Sequence, residues 1–196
     1  MLAALYQELL VTMQGVCRKS LQRHVGEDFY SVALYTSGEH AYVLDSLATL
    51  QGLERCARRY LAKPEWKERW GTLEIAMRKL KWSPCDSPYH CEFDREFKGV
   101  QNILNATWDQ VGGIDDSSTE DYMDTCDAIK NTCVEVLRSI RDSGIFDVER
   151  VVFNVLMGDE DDESRLLNAE ALNSDRVVSW YRRELEIDEV RLKALR

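Results

Sequence analysis

Phe29-Tyr30-Ser31-Val32-Ala33-Leu34-Tyr35-Thr36 is followed by Ser37-Gly38 and then by Ala41-Tyr42-Val43-Leu44. Two short runs rich in aromatic and β-branched residues, separated by a Ser-Gly turn, read as a β-hairpin. A third strand signal lies far away, at Val151-Val152-Phe153-Asn154-Val155-Leu156-Met157. That run is apolar except for Asn154, so both faces should be covered, and it predicts a central strand.

The remaining periodicity is helical. Leu2, Leu5, Tyr6, Leu9, Met13, Val16 and Cys17 form one stripe, which ends near Val25-Gly26, where glycine suits a C-cap. Thr49 reads as an N-cap for a helix whose buried face is Leu50, Leu53, Ala57, Tyr60 and Leu61. Pro64 stops that helix or starts the next, which runs through Trp66, Trp70, Leu73 and Leu80. Trp82 to Pro88 is a loop, because two prolines and two serines cannot continue a helix. Phe93, Phe97, Val100, Leu104 and Trp108 give another helix, closed by Gly112-Gly113. Ser118 or Thr119 should cap the longest one, with Tyr122, Cys126, Ile129, Cys133, Val136 and Ile140 on its inner face. A short helix through Leu166 and Leu172 and a last one from Asp175 to Leu195 complete the chain. The expectation is an α+β fold: a small, mainly antiparallel sheet, made of the hairpin 29–44 and the strand 151–157, packed with several helices. At 196 residues the chain reads as one domain, 1–196, large enough to build a core without disulfides or metal.

Formal net charge is −10, unevenly distributed. Residues 1–98 carry 14 Lys and Arg against 13 Asp and Glu, while residues 99–196 carry 11 against 22. An acidic field repels nucleic acid and anionic membrane surfaces and attracts a cationic protein partner. The N-terminal stretch lacks a basic start and is interrupted by Gln7 and Glu8, so it reads as an amphipathic helix rather than a signal peptide. No run approaches the roughly 20 apolar residues of a membrane span. Cys17, Cys56, Cys126 and Cys133 fall on apolar helical faces. Cys126 and Cys133, two turns apart, are too distant to bridge. Free thiols in a reducing cytoplasm are expected.

No catalytic constellation, cofactor motif or metal site emerges. Cys85, Asp86, His90 and Cys91 share one loop, but zinc prefers paired Cys elements with a second pair elsewhere. Pairing Cys85 or Cys91 with His24, His40 or His90 as nucleophile and base lacks any local signature. Gly112-Gly113 matches no phosphate loop. Asp159, Glu160, Asp161, Asp162 and Glu163 are contiguous, unlike a calcium loop. They should emerge exposed after the strand, favour the N-terminus of the following helix, and offer a face to a basic partner. A stoichiometric protein-binding module is the leading reading. The alternative is an enzyme acting on a small molecule near the Cys85–Cys91 loop.

Several of these segments resemble, in order, an uncharacterised bacterial domain family. The shared features are Gly26 through Gly38 with its FYxxALYT hairpin, the helix cap Thr49, and the Trp82-Ser83-Pro84 loop. Val155-Leu156-Met157-Gly158-Asp159 and Leu172-Asn173 follow, with Ser174 where members have proline. Some members look like immunity proteins of toxin systems. The resemblance therefore implies binding and neutralising a partner such as a toxin domain, and it carries over no active site.

Overall fold

The structure, a computed structural model, describes residues 2–113, 120–158 and 160–194, with side chains up to residue 185. Four strands form one mixed sheet: β1 (Phe29–Thr36), β2 (Val43–Thr49), β3 (Tyr89–His90) and β4 (Val152–Met157), in the order β3-β2-β1-β4. β1 pairs antiparallel with β2, β2 antiparallel with β3, and β1 parallel with β4. The α+β class and the mainly antiparallel pairing match the sequence reading. The parallel β1–β4 pair closes a long crossover that carries most of the helices.

The hairpin is longer than its sequence suggests. Its second strand starts at Val43 and runs to Thr49, where 41–44 was expected. Asp45 and Ser46 resemble loop residues, yet both are buried within the strand. The turn between the strands includes His40, buried in the left-handed region at φ 56°. Its Nδ1–H donates to the Gly38 carbonyl at 3.1 Å.

Alternation along the strands, with a register shift between Phe29 and Ser31 that turns Tyr30 to the other face, divides the core into two layers. Val32, Leu34, Val43, Leu47, Phe153 and Val155 face α1 (Leu2–Arg23), α5 (Lys98–Gln110) and α6 (Glu120–Asp142). Tyr30 and Ala48 face α2 (Leu50–Leu61) and α4 (Leu73–Leu80), joined by the short α3 (Pro64–Trp70). Val152 on the same side packs against α7 (Asp162–Glu170) and α8 (Asp175–Ala194). The helix expected from Trp66 to Leu80 is broken at Gly71, φ 70°, after which Thr72 caps α4. Thr49 caps α2 as expected, its hydroxyl accepting from the Gly52 N–H at 3.0 Å. The expected cap of α6 at Ser118 or Thr119 lies outside the described residues.

β4 is an edge strand, not the central one its apolar run implied. Helices cover both faces, which explains the composition, but its outer edge pairs with no strand among the described residues. Side chains take the place of a neighbour. Asn173 accepts from the Phe153 N–H at 2.9 Å and donates to the Phe153 carbonyl at 2.8 Å. Asn168 donates to the Val155 carbonyl at 3.1 Å, and Glu160 accepts from the Met157 N–H at 3.3 Å. These side chains take up most of the edge's polar groups and stand in the way of pairing with another chain.

Candidate functional site

The acidic run does not behave as one exposed patch. Asp159 lies outside the described residues. Glu160 turns inward, half-buried, accepting from Met157 and from the Asn168 side-chain amide at 2.8 Å. Burial raises its carboxyl above the usual carboxylate range. This corrects the expectation that all five acids face water, and the reason is the open edge of β4, whose last N–H needs an acceptor. Asp161 is the N-cap of α7, accepting from the Ser164 N–H at 2.7 Å, and that bond holds its carboxyl low. Asp162 pairs with Arg165 at 3.4 Å, and Glu163 is exposed.

The fold instead assembles an acidic band from separate parts of the chain. Lys130 of α6 contributes to the fields at both Glu160 and His40, and Asp127 and Glu39 also act on His40. The hairpin turn, the middle of α6 and the β4–α7 corner therefore adjoin. Burial lowers the His40 pKa, so at neutral pH the ring adds no charge there. Along α6 the exposed Glu120, Asp121, Asp124 and Asp127 continue the band, and none of them forms an ion pair among the described residues. Asp121, Asp124 and Asp127 follow at steps of three, and Glu120 lies four before Asp124, which groups them on one side of the helix. That periodicity was legible in the sequence but was outweighed by the denser run at 159–163. Between the ends of α1, α5 and α6 lies a groove of about 580 Å³. Leu2, Ala3, Val111 and Ala128 supply apolar lining, with Asp121 and Asp124 alongside. Met123 of α6 is 57% exposed.

The loop from Cys85 to Cys91 gathers different chemistry. Cys85 is exposed, its sulfur 3.5 Å from the Tyr35 hydroxyl. The His90 ring meets Tyr35 edge-on at 4.6 Å, and burial lowers its pKa. Burial, reinforced by Asp45, pushes the Cys91 thiol up to about 11, the wrong direction for a nucleophile. His24 is held elsewhere, 2.9 Å from Glu92 and stacked at 3.6 Å on Tyr89. The loop anchors the sheet edge: Tyr60 donates to Asp86 at 2.5 Å, and Ser87 donates to the Leu47 carbonyl at 2.6 Å. All six cysteines are free, with Cys17, Cys56, Cys126 and Cys133 buried. Among the described residues no group of three or more His, Cys, Asp or Glu is placed to hold a metal, and no helix is long and apolar enough to cross a membrane.

The residues behind the family resemblance have structural positions. Thr49 caps α2 and also donates to Glu27 at 2.5 Å. Burial would raise the Glu27 carboxyl, but hydrogen bonds from Thr49, Tyr89 and Arg55 together hold it below its ordinary range. Trp82 sits against Tyr30, Trp180 and Tyr181 with ring centroids 4.6–5.8 Å apart. Asn173 seals the edge of β4. A Cβ on Gly158 would come within 3.0 Å of the Tyr35 hydroxyl oxygen. Residues 13–174 match the family model for a domain of unknown function, DUF4303. The chain belongs to the DUF4303 family. The match takes in the whole sheet and leaves out the first half of α1 and all of α8. No curated protein and no solved structure shows significant similarity to this DUF4303 chain.

Proposed function

We propose that this DUF4303 protein is a stoichiometric protein-binding module for a cationic partner. The observation that carries the reading is the juxtaposition of Asp121 and Asp124, which form no ion pair among the described residues, with the apolar lining of the groove between α1, α5 and α6. Acids at the rim steer a basic partner and set its orientation, while apolar lining supplies area to bury. Such a surface suits an amphipathic segment that presents basic residues beside apolar ones. The family resemblance adds a specific form of the reading, an immunity-type inhibitor that covers a basic toxin domain.

The test is capture from native cells at low salt, then reconstitution with the identified partner. The expected result is a 1:1 complex whose affinity falls with salt. Neutralising Asp121, Asp124 and Asp127 to Asn together should weaken it several-fold and flatten the salt dependence. A partner bound with equal strength by that variant, with unchanged salt dependence, would overturn the reading.

A further inference from the structure

At the opposite end of the sheet, where β1 and β4 both begin, lies a groove of about 600 Å³ between the α6–β4 connection and the first turns of α8. We propose that this groove binds a small hydrophobic organic anion, with a carboxylate or phosphate head and an apolar body. Unlike the acidic band, it is walled by α8, which lies outside the residues matched by the family model.

Apolar and aromatic side chains supply much of the lining: Phe29, Leu50, Ile145, Phe146, Val177 and Trp180. Leu50 is 41% exposed there. A volume of this size falls in the range of small-ligand sites.

The polar groups decide the sign of the ligand. Each acid of the groove already meets a donor of the protein. Glu27 pairs with Arg55 at 2.8 Å. Asp28 accepts from the Gln51 amide at 2.8 Å. Asp147 accepts from the Glu149 N–H at 3.1 Å, and Glu149 lies 3.7 Å from Arg176. Two cations are also engaged, Arg176 with Glu149 and Lys81 with Glu184 at 2.5 Å. Arg150 and Arg183 remain. Both are exposed and line the groove, and neither guanidinium has a partner among the described residues. The charges left without a partner among the described residues are therefore cationic, and they lie beside a hydrophobic surface. Guanidinium groups engage carboxylate or phosphate oxygens through paired N–H bonds, which fixes the head while the apolar lining takes the body.

Trp180 supplies a direct signal, since it lines the groove. The full-length protein is titrated with decanoate, decyl phosphate, decanol and decylamine, each below its aggregation threshold, while tryptophan fluorescence is followed. The expected result is saturable 1:1 binding of decanoate or decyl phosphate, with decanol and decylamine at least about tenfold weaker. In the double variant Arg150→Gln, Arg183→Gln, with an unchanged thermal melt, the advantage of the anions should disappear. Decanoate against decyl phosphate distinguishes the two heads. Equal binding of the alcohol and the anions, no saturable binding of either anion, or unchanged anion binding by the double variant would each overturn the proposal. So would concentration-dependent dimerisation abolished by the same substitutions, which would make the groove an interface between copies.

Discussion

Asp45 offers a quantitative test of the core. It lies in the middle of β2 with no exposed surface, facing α1. One carboxyl oxygen accepts from the Phe93 N–H at 3.2 Å, and the other has no hydrogen-bond partner. Burial drives its carboxyl up from 3.8 to about 6, with a further push from Glu92, against the hydrogen bonds that favour the charged form. A shift of about 2 units corresponds to about 3 kcal/mol of differential stability. Because the folded value lies above the unfolded one, that stability is fully present below pH 3.8 and is lost as pH rises through 6. Asp45→Asn keeps an acceptor for Phe93 and removes the titration. The substitution carries its own fixed penalty, which pH does not alter, so the informative quantity is the difference between variant and wild type. Urea unfolding of both proteins at intervals from pH 4 to 8 should show that difference moving in the variant's favour by about 2–3 kcal/mol. Most of the change should fall below pH 6.5, with a plateau above. A difference that stays flat, or that moves toward the wild type as pH rises, would refute the reasoning.

Asn173→Ala should destabilise by about 2 kcal/mol or more in urea melts, since it strands both backbone groups of buried Phe153 at the sheet edge. Thr49→Ala should lower stability by about 1–2 kcal/mol, and Thr49→Ser by less than half of that, because serine retains the cap. Glu160→Ala should lower stability by about 1–2 kcal/mol by freeing the Met157 N–H and the Asn168 amide, whereas Glu163→Gln should stay within about 0.5 kcal/mol. Brief treatment of the native protein with iodoacetamide should label Cys85 before any other thiol in mass spectrometry. Cys17 and Cys133, whose thiols burial pushes up to about 12, should react only after unfolding.

Much of the fold is legible because its elements obey local rules. The stripe from Leu5 to Cys17, the cap at Thr49 and the inner face of α6 each show a period or a capping residue that tertiary contacts do not override. The failures have a common cause, which is polar groups whose partners are distant in sequence. Asp45 looks like a strand terminator until Phe93, far along the chain, is seen to donate to it. Tyr89–His90 is too short to show alternation and becomes a strand only by pairing with Ser46 and Leu47. The edge position of β4 was invisible because helices hide both of its faces, and the asparagines that replace a neighbouring strand follow it by more than ten residues. The same limit applied to the acidic band. A contiguous run draws attention in one dimension, but Glu160 and Asp161 are occupied by backbone, while Glu120, Asp121, Asp124 and Asp127 of α6 form no ion pair among the described residues.

The division of labour among residues bears on what family membership means for this protein. Thr49, Trp82, Gly158 and Asn173 hold a helix start, an aromatic cluster, a close approach and a sheet edge. Replacing any of them acts first on folding, so a chain that retains them keeps the scaffold whatever it binds. Asp121, Met123 and Asp124 are exposed, and Asp121 and Asp124 form no ion pair among the described residues. Arg150 and Arg183 are likewise exposed, and their guanidinium groups have no partner among the described residues. Surface positions of this kind change at little expense to stability. The physical consequence is that the DUF4303 match identifies a frame, while under the proposed binding role recognition would fall to exposed positions that can change without unfolding it. Exchanging the exposed residues of α6 between two family members should therefore transfer partner preference without lowering the melting temperature. Exchanging the residues around Thr49 or Asn173 should do the reverse.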